Sequence, residues 1–211
     1  MSITELAPAK LNLTLDVGAR RPDGYHEITS VMQSAALYDV VTLETVETDD
    51  IAVECPGTDL PTGPDNLAWK AADVFFQETN IPHTGIFIRL EKKIPSQAGL
   101  GGGSSDAAAV LRGMRRLFST NVSDEALETM AARVGSDVPY CVRGGTALAR
   151  GRGERLTALS PLPMCWFVIV KPPVAHSTAV MFRKLDEIAI ANRLTVSFEN
   201  YQAVSPQHPF P

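Results

Sequence analysis

Four of the five residues from Gly99 to Gly103 are glycine, and Ser104, Ser105 and Asp106 follow them directly. Behind these stands Ala107 to Leu111, a helix former's run whose first turn would carry the two serines and the aspartate. Ahead of the glycines, Ile86, Ile88 and Leu90 alternate with Phe87, Arg89 and Glu91, the period-two pattern of a half-buried strand. The local order is therefore strand, glycine loop, helix, and the rest of the chain has to accommodate it.

That order suits an anion. A helix's first turn leaves backbone N–H groups without partners, and the helix dipole makes that end positive. Glycines lack a Cβ, so an anion can come close to those donors, and phosphate is the natural occupant. A tight turn before a packed helix is the plainer alternative; four glycines with two serines at a helix start favour the anion site. Two familiar phosphate loops do not fit. No lysine follows Gly103, as a Walker A loop requires. A Rossmann pattern started at Gly99 needs a glycine where Ser104 stands.

Length and composition bound the rest. A chain of 211 residues makes one good-sized domain or two small ones. With 45% hydrophobic and 20% charged residues it reads as globular, and a net charge of −5 without a basic stripe argues against a nucleic-acid partner. There is no 18-residue apolar run and no charged-then-apolar leader, so neither a membrane span nor a signal peptide is expected. The three cysteines, Cys55, Cys141 and Cys165, form no C-x-x-C pair. They suggest neither a disulfide frame nor a zinc site, and a reducing cytoplasm is the simplest home.

Along the chain, Leu11, Leu13, Leu15 and Val17 alternate with Lys10, Asn12, Thr14 and Asp16, which predicts a strand with one buried and one polar face. Pro22-Asp23-Gly24 predicts a turn. Val40 to Val46 and Ile51 to Cys55 read as strands. Asp65 is placed to cap a helix carrying Leu67, Ala71, Val74 and Phe75. The helix behind the glycine loop is expected from Ser104 through Leu117. Ser123 opens another, with Leu127, Met130, Ala131 and Val134 as its stripe and Gly135 at C′. The stretch Gly135 to Pro139 is expected to be irregular, and Gly144 to Gly153 a strand flanked by glycines. Cys165 to Val170 is apolar throughout and predicts a buried strand. Ser177 is placed to cap a helix with Met181, Phe182, Leu185 and Ile188, Thr195 to Phe198 can add a short strand, and the Pro-rich end from Ser205 to Pro211 reads as frayed.

The Pro95-x-x-x-Gly99-Leu100-Gly101-Gly102-Gly103-Ser104-Ser105 loop resembles that of the GHMP small-molecule kinases. So, in order, do Ala7-Pro8-Ala9-Lys10-Leu11-Asn12-Leu13, Arg20-Arg21-Pro22-Asp23-Gly24-Tyr25-His26-Glu27, Asp137-Val138-Pro139 and Gly144-Gly145-Thr146-Ala147-Leu148. The likeness runs from Ala7 to about Asp186. The Tyr25-His26 segment points to the branch that phosphorylates a cytidine-bearing erythritol in non-mevalonate isoprenoid synthesis. A mevalonate- or homoserine-type kinase, or a nucleotide-binding relic with little activity, are the alternatives.

The resemblance implies an α+β fold of the GHMP kinase type. A ribosomal-protein-S5-like, ATP-binding domain would span residues 1–155, and an incomplete ferredoxin-like domain with an irregular tail would span 156–211. It implies ATP-dependent transfer to a hydroxyl, with Asp137 as the catalytic base and Lys10 as its partner. ATP would be held by Asn66 near the adenine and by Pro95, Ser96, Gln97, Ala98, Gly99, Leu100, Gly101, Gly102, Gly103, Ser104 and Ser105. Mg²⁺ would arrive bridging the phosphates, with no metal site made of protein ligands alone. Asn12, Tyr25, His26 and Phe182 would bind the small-molecule substrate, Tyr25 and Phe182 as the two rings of a stack on its pyrimidine.

Three departures from the family pattern stand out. Ser96-Gln97 replaces the usual Met-Gly, Ser136 replaces an alanine, and the second glycine-rich loop is missing because Gly153 is the last glycine. On this reading the second domain is expected to be marginal, poorly ordered after about Asn192, and the 211-residue chain to have little kinase activity.

Overall fold

Two long strands make the frame of the computed structural model, which describes residues 1–79, 81, 85–172 and 178–192. Strand β1 (Ser2–Arg20) and strand β2 (His26–Val46) pair antiparallel along almost their whole length. Pro22-Asp23-Gly24 turns between them as predicted. Gly24 has φ +85°, and the Asp23 carboxylate accepts the Tyr25 N–H at 3.1 Å. On its other edge β2 serves two partners in succession. Its first half, Ile28 to Gln33, pairs with β5 (Thr146–Gly151). Its second half, Val40 to Val46, pairs with β4 (Gly85–Glu91). Strand β3 (Ile51–Glu54) runs parallel to β4, a pairing that needs a crossover, and helix α1 (Leu67–Thr79) supplies it. Strand β6 (Arg155–Ala158) closes the sheet antiparallel to β5.

Helices α1, α2 (Gly102–Leu117) and α4 (Val138–Arg143) pack against this sheet, and α3 (Asp124–Val134) packs on those helices. The core follows the sequence pattern. Ile86, Ile88 and Leu90 are buried on β4, while Arg89 and Glu91 point to solvent. Ala107 to Leu111 of α2 are wholly buried. Small residues let α2 lie close to the sheet. At Gly113 a Cβ would stand 2.4 Å from Leu43, a distance no side chain could share. A fifth helix, α5 (Thr178–Asn192), carries Phe182 and Leu185 as predicted. The fold is α+β, and no helix among the described residues is long and apolar enough to cross a membrane.

Five local expectations are corrected. Cys165 to Val170 is not a buried strand: it pairs with no strand among the described residues, and Trp166 and Val168 are 96% and 92% exposed. An apolar run is buried only where a facing surface exists, and here Phe167 and Ile169 are partly covered while the alternate residues are not. The faces of β1 are also exchanged near the glycine loop, where Leu13 and Leu15 are exposed and Lys10 is buried. The loop lies over Lys10, whose backbone N–H donates to the Leu100 carbonyl at 2.9 Å. The cap of α1 is Asn66 instead of Asp65, its side-chain oxygen accepting the Ala68 N–H at 2.9 Å. The stretch expected to be irregular runs into helix at Val138, because Pro139 near a helix start suits the fixed φ of proline. Gly135 ends α3 with an extended backbone, φ −179°, and no left-handed turn.

The expected division at residue 155 stays a proposal, and β6 lies across it. Ser177, Thr195 to Phe198 and the Pro-rich end lie outside the described residues.

Candidate active site

One cleft of about 1210 Å³ opens where the glycine loop, the second half of β1, the β1–β2 turn and α5 meet. Of the residues assigned to a site from sequence, all but Ser105 line it. Ser105 is wholly buried, and its hydroxyl donates to the Pro8 carbonyl at 2.7 Å, tying α2 to β1 instead of facing the cleft.

The loop earns its glycines at two positions. Gly99 and Gly101 have φ +72° and +67°, where a Cβ is strained. At Gly101 a Cβ would also stand 2.7 Å from the Lys10 Cγ. Gly101 is the N-cap of α2 and offers no side chain to the helix end, so the next N–H groups are left for a ligand. The residues present fit a phosphate chain: a close-approach backbone, a positive helix end, and a lysine beneath it.

Lys10 is the centre of the polar chemistry. Its ammonium lies 3.1 Å from the Asp137 carboxylate and donates to Asn12 Oδ1 at 2.7 Å. Asn12 donates in turn to the Ser30 hydroxyl at 2.7 Å, and Ser30 donates to the Thr14 carbonyl at 2.6 Å. Each member is oriented by the next, so Lys10 is held to one position. Asp137 occupies the N-cap of α4, yet its carboxylate makes no capping bond. It turns to Lys10 and keeps about a third of its surface open. A helix-capping role therefore does not account for it.

At the other end of the cleft two turns are fastened together by Glu27. Its carboxylate accepts from Arg21 at 2.5 Å, from Arg155 at 2.6 Å and from the Gly151 N–H at 3.0 Å. Burial works against the Glu27 charge, but Arg21 and the Gly151 N–H hold the carboxyl below its ordinary range. This sets Tyr25 beside Arg152, whose guanidinium lies 4.9 Å from the Tyr25 ring centre. Phe182 of α5 stacks on His26 instead, with ring centres 5.1 Å apart and planes 22° from parallel. Asp186, one helical turn further along α5, bonds the same imidazole at 2.7 Å. Tyr25 remains half-exposed, with its ring open to a ligand.

Asn66 lines the cleft, but both ends of its amide are used: it caps α1 and donates to the Pro61 carbonyl at 2.7 Å. Beneath the loop lies a group that sequence reading did not find. The Lys92 ammonium sits between the carboxylates of Asp39 and Asp106, all three buried. Burial opposes the Lys92 charge, but the two carboxylates overcome it and raise its pKa. Burial likewise dominates at Asp106, whose carboxyl is pushed up to about 7 against the pull of Lys92. Arg152 was also missed, although its place between Gly151 and Gly153 marks it as the tip of a turn. Asp186 stands four residues beyond Phe182, the spacing of one helix face, and that signal was readable.

Residues 66–145 match the family described as GHMP kinases N terminal domain. A 4-diphosphocytidyl-2-C-methyl-D-erythritol kinase of Enterococcus faecalis is 47% identical over 185 residues, covering 88% of this chain and 65% of that protein. One of Pelotomaculum thermopropionicum is 49% identical over 183 residues, covering 87% of this chain and 63% of that protein. The chain thus spans a little under two thirds of the length of these relatives. The crystal structure of a 4-(cytidine 5'-diphospho)-2C-methyl-D-erythritol kinase superposes with a TM-score of 0.68 at 38% identity, covering 86% of this chain and 63% of that one.

Proposed function

We propose that this chain, which has the GHMP kinase fold and carries the N-terminal domain of that family, takes part in ATP-dependent phosphorylation of a hydroxyl on 4-diphosphocytidyl-2-C-methyl-D-erythritol. The step belongs to cytoplasmic, non-mevalonate isoprenoid precursor synthesis. The observation that carries this reading is the 3.1 Å contact between Lys10 and Asp137, in one cleft with a glycine loop and an open tyrosine ring.

ATP supplies the phosphoryl group, and Mg²⁺ travels on its phosphates. The backbone N–H groups at the start of α2 receive the phosphate chain. Lys10, beneath Gly101, neutralises charge as the bond from the γ-phosphorus to its bridging oxygen breaks and ADP leaves. The substrate hydroxyl oxygen forms the new bond to phosphorus, and its proton passes to the Asp137 carboxylate. The Lys10 ammonium, 3.1 Å away, holds that carboxylate in position to receive it. Asn12 and Ser30 hold Lys10 in place. Tyr25 stacks on the pyrimidine, while Arg152 beside it meets the substrate's diphosphate. His26 and Phe182 form the wall behind, held by Asp186.

The test measures turnover and ATP affinity side by side for Asp137→Ala in a catalytically active form of the protein. The expected result is loss of phosphoryl transfer with ATP binding kept. Near-normal turnover would remove Asp137 from the role of base and with it this mechanism.

A further inference from the structure

The glycine loop begins and ends on a buried charge cluster for which the mechanism above has no use. Asp39, on β2, is wholly buried. One of its oxygens accepts the backbone N–H groups of Lys93 at 2.5 Å and Ile94 at 2.8 Å, the two residues that lead into the loop. Its other oxygen accepts from the Lys92 ammonium. The same ammonium reaches across to Asp106, in the helix that leaves the loop. The two limbs also lie close to each other: a Cβ at Gly102 would stand 3.2 Å from the Ile94 Cγ2 and 3.5 Å from the Asp39 carboxylate.

We propose that Asp39, Lys92 and Asp106 form a clamp across the base of the glycine loop, which holds the loop in its phosphate-binding shape. On this view they are positioning residues for nucleotide binding, an inference that rests on the nucleotide reading of the loop.

Stability alone is a poor reason to bury three charges. Well-packed apolar residues of the same volume are often as stable or more so, whereas a buried charge cluster can fix geometry. Here geometry is what the loop lacks. Its glycines restrict the backbone least of all residues, and Gln97, Gly99 and Gly101 all hold positive φ. Besides the clamp, two bonds fasten the loop to β1: Lys10 N–H to the Leu100 carbonyl, and the Ser105 hydroxyl to the Pro8 carbonyl. Both hold its exit limb, and neither holds the entrance at Lys93 and Ile94. The Asp39 carboxylate does. Asp106 contributes the weaker grip, because its Oδ1 is buried without a hydrogen-bond partner. Asp39 and Lys92 therefore carry the larger effects.

The test uses the 211-residue chain and its Asp39→Asn, Lys92→Met, Lys92→Arg and Asp106→Asn variants. Amide hydrogen exchange is read at Lys10, whose acceptor lies in the loop, and across α3, which lies outside it. ATP affinity is measured by calorimetry. Asp39→Asn and Lys92→Met are expected to speed exchange at Lys10, leave α3 protected, and weaken ATP roughly 10- to 100-fold, the scale of losing one hydrogen bond to a charged group. Asp106→Asn should do less, and Lys92→Arg should retain most of the binding. Unchanged Lys10 exchange with unchanged ATP affinity overturns the clamp and leaves the nucleotide reading standing. Equal acceleration at Lys10 and α3 in all variants, Asp106→Asn included, overturns it in favour of a purely structural cluster. If the parent chain binds no ATP while Asp39→Asn frees the Lys10 amide, the clamp stands and the nucleotide reading falls.

Discussion

Gly99 and Gly101 offer a controlled comparison, because they share a backbone conformation and differ in what surrounds them. Their φ values are +72° and +67°, so an alanine at either meets the same left-handed strain. That strain is about 1 to 2 kcal/mol. The replaced glycine's extra freedom in the unfolded chain returns about 0.5 to 1 kcal/mol. At Gly99 nothing lies within 4 Å of the new methyl, so Gly99→Ala should cost about 1 kcal/mol in all. At Gly101 the methyl would stand 2.7 Å from Lys10 Cγ, near the root of a buried side chain whose far end is bonded to Asn12 and Asp137. Overpacking of that kind adds about 1 to 3 kcal/mol, which brings Gly101→Ala to roughly 2 to 4 kcal/mol. Urea unfolding of both variants at one pH gives the difference directly. ATP calorimetry should show the larger loss at Gly101, because Lys10 can relax only by leaving its place under the loop. Equal costs at the two sites would mean that the loop does not rest on Lys10, and the account of the site would fail there.

Two further predictions concern charge and recognition. Asp106 has a carboxyl raised from 3.8 to about 7, so the folded state holds its proton more tightly than the unfolded chain does. Its contribution is fully present below pH 3.8 and is lost as pH rises through about 7, at up to ~1.4 kcal/mol per pH unit between them. Asp106→Asn removes that slope, so urea unfolding should find the variant gaining on the parent chain from pH 4.5 to 7.5; a pH-independent difference would contradict it. Tyr25→Ala should weaken the cytidine-bearing substrate by about 1 to 3 kcal/mol, the range for stacking a base on an aromatic ring, and leave ATP affinity unchanged. Equal losses for both ligands would make Tyr25 a folding residue.

Local signals in this chain were readable where one element decided the outcome. The alternation of Ile86, Ile88 and Leu90 gave β4, and Ser123 gave the cap of α3, its hydroxyl accepting the Ala126 N–H at 3.2 Å. The glycine loop and the Lys10–Asp137 contact were legible through motif order, and the structure brings both into one cleft. What failed was whatever depended on a second surface. Leu13 and Leu15 alternate like buried residues, but the loop covers the opposite face of β1. Cys165 to Val170 has the composition of a core strand but pairs with none of the described strands. Asp39, Lys92 and Asp106 lie 53 and 14 residues apart in the chain, so no spacing could announce that they meet. Gln97 joins the two kinds of signal. It stands where the family usually has glycine, and its φ of +53° shows why glycine is favoured there. Gln97 therefore holds a left-handed backbone at the strain that a residue with a Cβ carries there. The loop is bonded from outside its own residues, to Lys10 and Pro8 of β1 at one limb and to Asp39 of β2 at the other.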